Sequence, residues 1–313
     1  MKGIKTYLWP LFLLSPALIL LLVFRFFPIA YAFLLSFQDW GIGGSKGFIG
    51  LSNYKWLLQD PFFWQSFWNT INYAIIAVPL SIIVSLFIAS LLNRGLKALG
   101  LYRTIYFLPV ITSMVAVSIV WKWLYDPQRG VFNYFLTTMG LSPLKWLEEP
   151  RGIIELIIGK ELPYLLKGPS LALVSIALMS VWKSMGYNIV IFLAGLKNIP
   201  DVYYEAAKID GAGPWQTIKN VTLPLLSPTT FYVAIMTTIA SLQIFAPIWL
   251  MTGPPPGGPL GRTSVVIYYL YQKGYEEYQV GYGTAIAFVF FLFVLAITIF
   301  QKTVLEKKVY YEV

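Results

Sequence analysis

Residues 67–92 read FWNTINYAIIAVPLSIIVSLFIASLL and carry no charge. The hydrocarbon core of a bilayer is about 30 Å thick, and about 20 helical residues cross it, because a helix satisfies its own backbone amides where water cannot. The stretch is therefore expected to span a membrane. Five others share its character, near 8–36, 104–124, 171–196, 227–251 and 281–300. The first is too long for a signal-peptide core and lacks a convincing cleavage site, so it is expected to remain as a span. Pro28, Pro79, Pro109 and Pro247 fall inside these stretches and are expected to kink them, each freeing a carbonyl that a neighbouring helix or a wet cavity must satisfy.

The rest of the composition agrees. Of the 313 residues, 58% are hydrophobic and 12% charged, where a soluble domain carries about 25% charged residues. There is no cysteine and no histidine, which excludes disulfides, thiolate nucleophiles, histidine bases and the common zinc sites. The expected fold is all-α, a single polytopic domain over 1–313 with six transmembrane helices.

Lysine and arginine set the orientation. With the N-terminus inside, segments 1–7, 93–103, 197–226 and 301–313 hold 11 Lys and Arg in 61 residues, against 9 in 105 for the outer segments. Both termini are thus expected on the cytoplasmic side. The net charge of +9 then calls for no nucleic acid, since basic inner loops facing anionic membrane lipid account for it.

The inner segment 197–226 contains YYEAAKIDGAGPWQTIKNVTLP, Tyr203 to Pro224. Pro200 and Asp201 suit a helix start, by fixed geometry and by an acid at the positive end of the helix dipole. Good helix formers follow, and Gly211 supplies a left-handed stop. Gly213 and Pro214 open a second short helix, WQTIKNV, expected to end before Pro224 because the residue preceding proline avoids helical geometry. The reading is a cytoplasmic helix-turn-helix.

Glu205, Ala206, Ala207, Asp210 and Gly211, followed by Val221, Thr222, Leu223 and Pro224, resemble the EAA motif of permease subunits from binding-protein-dependent ABC importers. Valine stands at 221 where that family usually has isoleucine. The flanks VWKSMGYNIVIFLAGLKNIPDVYYEAA and IFAPIWLMTGPPPGG are similar to its carbohydrate-type branch, with GPPPGG altering the more usual Gly-Gly-Gly-Pro. The resemblance implies a subunit of a prokaryotic cytoplasmic membrane whose loop docks into a separate ATPase subunit. In that docking the alanines allow close approach, Gly211 the turn, and Glu205 offers a carboxylate. It also implies the partners: two copies of the ABC ATPase subunit, a second homologous permease subunit, and an extracellular or periplasmic solute-binding protein that delivers a small-molecule substrate. The chain has no GxxxxGK[ST] phosphate loop. No cofactor is expected on it, and ATP and Mg are expected on the partner ATPase subunits.

Polar groups deep in a span are default candidates for the substrate pathway. Lys183 lies mid-helix, with Ser180, Ser184 and Tyr187 on roughly its face at spacings of three and four and Trp182 adjacent. Thr237, Ser241 and Gln243 form a similar stripe on the fifth span. Hydroxyls, amides and ring faces suit a sugar or oligosaccharide. Glycerol phosphate esters are the alternative, because related permeases handle them and Lys183 offers a cation. The same hydroxyls also serve as helix-packing groups in bundles. Lys122 can snorkel from a helix end, and Arg25 is either buried in the first span or, if Leu8 to Phe24 span alone, near the outer surface; neither is assigned to substrate.

The outer loop 125–170 is long, and Glu148 to Pro169 is an insertion relative to the compact loops associated with the family. Its apolar run is too short to cross, so packing or interfacial placement is expected over a specific binding role. A membrane enzyme using Glu148, Glu149, Glu155 or Glu161 lacks a paired catalytic spacing. A non-transport assembly subunit is the remaining alternative.

Overall fold

A computed structural model describes residues 2–93, 99–162 and 167–310. Along the chain, α1 (Lys2–Leu21) passes through a π-turn at Leu22–Phe26 into α2 (Phe27–Leu35), followed by a hairpin of β1 (Gln38–Gly41) and β2 (Gly44–Phe48). Next come α3 (Ser52–Gln59), α4 (Pro61–Leu92), α5 (Leu99–Ile111), α6 (Met114–Leu124), α7 (Val131–Thr138), α8 (Ile153–Ile158) and α9 (Leu171–Lys197). The remainder is α10 (Asp201–Ile209), α11 (Pro214–Thr217), α12 (Leu223–Leu225), α13 (Ser227–Leu242), α14 (Ala246–Met251), α15 (Val266–Tyr271) and α16 (Val280–Phe300). Contacts divide the chain into two units. One joins the chain up to Asp60 with Tyr269–Leu292, and the other joins Pro61–Tyr268 with the residues from Phe293 onward.

Among the described residues, four helices are individually long and apolar enough to cross a membrane, Phe12–Leu35, Pro61–Leu92, Leu171–Lys197 and Val280–Leu305. Two bent pairs bring the number to six: Gly100–Ile111 with Met114–Leu124, bent by 98°, and Pro214–Leu225 with Ser227–Leu242, bent by 66°. The helical, polytopic expectation therefore stands, with corrections to individual spans. The stretch 104–124 is a broken pair of helices. Pro109 withholds a donor one turn before the break, and the Thr112 hydroxyl bonds back to the Leu108 carbonyl at 2.8 Å, in the competition with helical bonding that threonine offers. Likewise 227–251 divides between Leu242 and Ala246, and Pro247 opens α14 instead of kinking one long helix. The second span starts at Pro61, six residues before the expected 67, because proline suits a first turn and Asp60 before it is extended (ψ 109°).

In the first unit, the π-turn at Leu22–Phe26 holds Phe24, the residue four positions before Pro28. A wider turn there relieves the clash between a proline ring and the i−4 carbonyl. The hairpin pairs Gln38 with Phe48 and Gly41 with Gly44, and Gly44 takes φ +90°, a conformation that glycine alone adopts readily. This small sheet departs from the purely helical expectation. Buried Asn53 donates to the Ser36 and Gln38 carbonyls at 2.9 and 3.1 Å, tying α3 to the hairpin base. The Asp60 carboxylate accepts from the Tyr269 and Tyr282 hydroxyls.

The second unit is organised on one face of α4. Ser66, Asn69, Thr70, Tyr73, Ala77, Ser81, Ser85 and Ala89 recur every three or four residues and are all buried. Membrane helices gain nothing hydrophobic by leaving lipid for one another, so small side chains and interhelical hydrogen bonds hold them together. Asn69 donates to the carbonyls of Gly261 and Ser264, both at 2.9 Å, Ser66 meets Ser264 at 2.8 Å, and Thr70 accepts from the Val266 amide at 3.0 Å. On α9, Gly186 permits close approach to α5: a Cβ there would sit 2.2 Å from the Tyr106 carbonyl oxygen and 2.8 Å from Val110 Cγ2.

The 125–170 connection packs onto this unit. Asn133 Oδ1 accepts from the Leu144 amide and the Trp146 indole at 3.0 and 2.9 Å, and Trp146 lies against Tyr125 and Phe132. Arg262 donates to the Pro150 and Gly168 carbonyls at 3.1 and 3.2 Å. Buried Glu155 accepts from the amides of Leu162 and Gly152, at 3.0 and 3.1 Å, and pairs with Lys167 at 3.1 Å. These partners, the Leu162 amide foremost, hold its pKa down to about 2.

Two outcomes follow from this packing. Gly186→Val should force α5 and α9 apart at an overpacking cost of about 1–3 kcal/mol, lowering the thermal midpoint in detergent, whereas Gly43→Val, with open space around its Cβ, should leave it unchanged. Glu155 is more acidic folded than unfolded, so its contribution is complete above the ordinary glutamate pKa of 4.5 and is lost as pH falls toward 2. Pepsin should cleave the 148–169 region progressively faster over that interval, and Glu155→Gln should flatten the dependence.

Candidate functional site

A cavity of about 620 Å³ opens between α4, α9 and α13, closed on one side by Met114 and by the α13–α14 junction. Its polar lining comprises Tyr73 and Ser81 of α4, Ser180, Ser184, Tyr187 and Asn188 of α9, and Thr237, Ser241 and Gln243 at α13. Among these described lining residues none carries a formal charge. Asn188 Nδ2 donates to Ser81 Oγ at 2.9 Å and to Thr237 Oγ1 at 3.4 Å, so one side chain links three helices in the cavity wall. The rest of the lining is apolar, including Val181, Met236, Ile244 and Phe245, so hydroxyl and amide groups stand among aliphatic and aromatic side chains around a space that suits a neutral guest.

Six of the eight residues expected on the pathway line this cavity: Ser180, Ser184, Tyr187, Thr237, Ser241 and Gln243. Trp182 and Lys183 do not. At about 100° per residue Trp182 falls on the opposite side of α9 from the Ser180, Ser184, Tyr187 face, whereas Lys183 lies at the edge of that face and is drawn to the end of α5. The Trp182 ring packs against Trp121, centroids 5.5 Å apart. Lys183 Nζ donates to the carbonyls of Thr112 at 3.0 Å, Pro109 at 3.2 Å and Val110 at 3.5 Å. Tyr73, Ser81 and Asn188 were not expected in the wall. The signal was present in the four-residue polar row of α4 and in an asparagine four positions beyond Ser184.

The second site is the 197–226 loop. α10 ends in a Schellman motif, with the Ala212 amide donating to the Ala207 carbonyl at 2.9 Å, the Gly211 amide to Lys208 at 3.1 Å, and Gly211 at φ +75°. Gln216 Oε1 then accepts from the Gly213 amide at 2.8 Å, starting α11 with Pro214 in its first turn. The second helix does not stop before Pro224. It continues through a π-turn at Ile218–Thr222 to Leu225, and Asn220, four residues before the proline, lies in that turn. The widened register accommodates the proline ring as it does at Pro28. Tyr204 and Thr222 hydroxyls meet at 3.4 Å between the two helices.

Of the EAA residues, Glu205, Ala206, Asp210, Gly211 and Leu223 are exposed, Val221 and Pro224 are half-buried, and Ala207 is buried against the turn. Around the exposed ones lie Ile209, 86% exposed, and Trp215, 72% exposed. A large aliphatic and an indole left bare beside a rigid turn form an apolar surface of the kind that protein partners cover. Among the described residues no cluster of three or more Asp and Glu is placed to hold a metal ion.

Residues 61–309 match the family model of the binding-protein-dependent transport system inner membrane component. The chain is 32% identical over 305 residues to the sn-glycerol-3-phosphate transport system permease protein of Yersinia pestis, covering 97% of this chain and 96% of that protein. It is 33% identical over 288 residues to the trehalose/maltose transport system permease protein of Thermococcus litoralis, covering 92% and 90%. Its fold matches a chain of the crystal structure of a bacterial alginate ABC transporter in complex with an alginate pentasaccharide-bound periplasmic protein, with a TM-score of 0.77 at 24% identity and coverage of 96% and 95%. The polar cavity between spans and the exposed helical turn thus sit on a membrane-permease scaffold, and the chain belongs to the inner-membrane permease components of binding-protein-dependent ABC transport systems.

Proposed function

We propose that this permease subunit imports a sugar or oligosaccharide through the cavity between α4, α9 and α13, together with a second, homologous permease subunit. The observation that carries the reading is the cavity's uncharged lining: hydroxyls, amides and tyrosines set among apolar side chains such as Met236, Ile244 and Phe245, with no formal charge among the described lining residues. A sugar bonds through neutral hydroxyls and stacks its C–H faces on rings. A phosphate ester calls for a cation or a cluster of donors, and the lysine nearest in sequence, Lys183, is turned onto backbone carbonyls. The trehalose/maltose relative supports the same class.

Energy enters from outside the chain, through two ATPase subunits that bind ATP and Mg and dock on the exposed turn at Glu205–Gly211. An extracellular or periplasmic binding protein delivers the substrate on the opposite face. The bias of lysine and arginine supports a cytoplasmic position for that turn and for both termini.

Both halves of the reading are open to test in the reconstituted transporter. Ser184→Ala and Thr237→Val should each lower uptake of a neutral oligosaccharide about two- to tenfold, the effect of one lost hydrogen bond, with assembly intact; preferential transport of glycerol 3-phosphate would reverse the assignment. Gly211 has open space around it but a positive φ, so Gly211→Val should strain the turn without a clash and cost about 1–2 kcal/mol. Binding-protein recognition should persist while ATPase association or stimulated hydrolysis falls. Normal stimulated hydrolysis and uptake in Gly211→Val would remove the turn from the coupling path.

A further inference from the structure

The break between α5 and α6 raises a question of backbone bonding that the transport reading leaves open. An α-helix ends with four carbonyls that have no partner of their own, and at membrane depth no water is at hand to serve them. For α5 these are Leu108 to Ile111. The Thr112 hydroxyl takes the Leu108 carbonyl at 2.8 Å. Lys183 Nζ takes Pro109 and Val110, at 3.2 and 3.5 Å, and also Thr112 just beyond the helix end, at 3.0 Å. An ammonium has three N–H donors, and all three are committed here. Its positive charge also lies at the negative end of the α5 dipole.

Position in the fold gives this cap a consequence. Gly186, one turn along α9 from Lys183, brings α9 against the Tyr106 carbonyl, so the lysine reaches the helix end across a close helix contact. On the other side of the break, Ser113 begins α6, its carbonyl accepting from the Val117 amide at 3.0 Å. The next residue, Met114, is in the cavity wall. We infer that Lys183 is a positioning residue of the permeation cavity: it holds no substrate, but pins the α5–α6 break from behind and so fixes where α6 presents Met114. The functional meaning of that wall rests on the transport reading, while the pin itself is testable without any substrate.

The sequence carries no cysteine, so a single introduced thiol reports its own surroundings. Met114→Cys and, separately, Thr237→Cys in the full-length chain in membrane vesicles would be reacted with a small charged methanethiosulfonate reagent. Adding Lys183→Met should change the Met114→Cys rate by about tenfold or more, since the uncapped carbonyls must find other partners and the break must rearrange. Lys183→Arg keeps the charge and donors but presents them in a larger planar fork, so its rate should lie between those of the parent and of Lys183→Met. Thr237→Cys, on a different wall of the same cavity, should react at an unchanged rate throughout. An unaltered Met114→Cys rate in Lys183→Met would overturn the inference, and so would an equal change at both thiols, which would make the lysine a support of the whole bundle. Preferential transport of glycerol 3-phosphate by the parent protein, with these rates as expected, would refute the substrate assignment and leave the pin standing.

Discussion

At membrane depth a backbone carbonyl without a donor costs several kcal/mol, and much of the second unit follows from meeting that constraint. Where the chain stays helical, the requirement is met internally over long stretches such as α4 and α9. Departures from a helix need side chains that supply what the backbone no longer does. The α5–α6 break has Thr112 and Lys183. The loop after α14 has Asn69 and Thr70 of α4, which serve the carbonyls of Gly261 and Ser264 and the amide of Val266. Two of the prolines are handled by another device, since Pro28 and Pro224 each follow a π-turn that contains the residue whose carbonyl the ring would strike, whereas Pro79 sits within the continuous α4.

The same economy shapes how helices meet. The buried row on α4 is made of serine, asparagine, threonine, tyrosine and alanine, where a soluble helix would bury leucine and isoleucine. Its hydroxyls are therefore both adhesive and available. Ser81 illustrates the overlap, because it accepts from Asn188 across the α4–α9 contact and also lines the cavity. The cavity is a place where the interhelical seam opens, with the same hydroxyl and amide groups in its wall.

This overlap explains what sequence alone could and could not reveal. Spans were legible because hydropathy accumulates over some twenty residues, and the Gly211 turn was legible because its signals are local and stereochemical. The α5–α6 break was not, since its stability is settled by a lysine on α9, far away in sequence. Six wall residues were found from helical spacing. The same spacings of three and four include Lys183, which lies at the edge of that sector where the end of α5 claims it, while Trp182 is included by adjacency alone. Tyr73 and Ser81 were overlooked inside a run read only for its hydropathy, and the β1–β2 hairpin lies in a glycine-rich stretch with no alternating pattern.

The uncharged lining has an electrical consequence. Moving one elementary charge through a membrane potential of 100 mV involves about 2.3 kcal/mol, enough to bias a conformational equilibrium by more than an order of magnitude. Among the described residues, the groups that face the cavity are neutral, so swinging that surface from one side of the bilayer to the other transfers no gating charge from the wall itself. The lining side chains thus give the transmembrane voltage no charge to act on, the Lys183 ammonium behind the α5–α6 break standing apart from them, and the field does no work on a neutral guest.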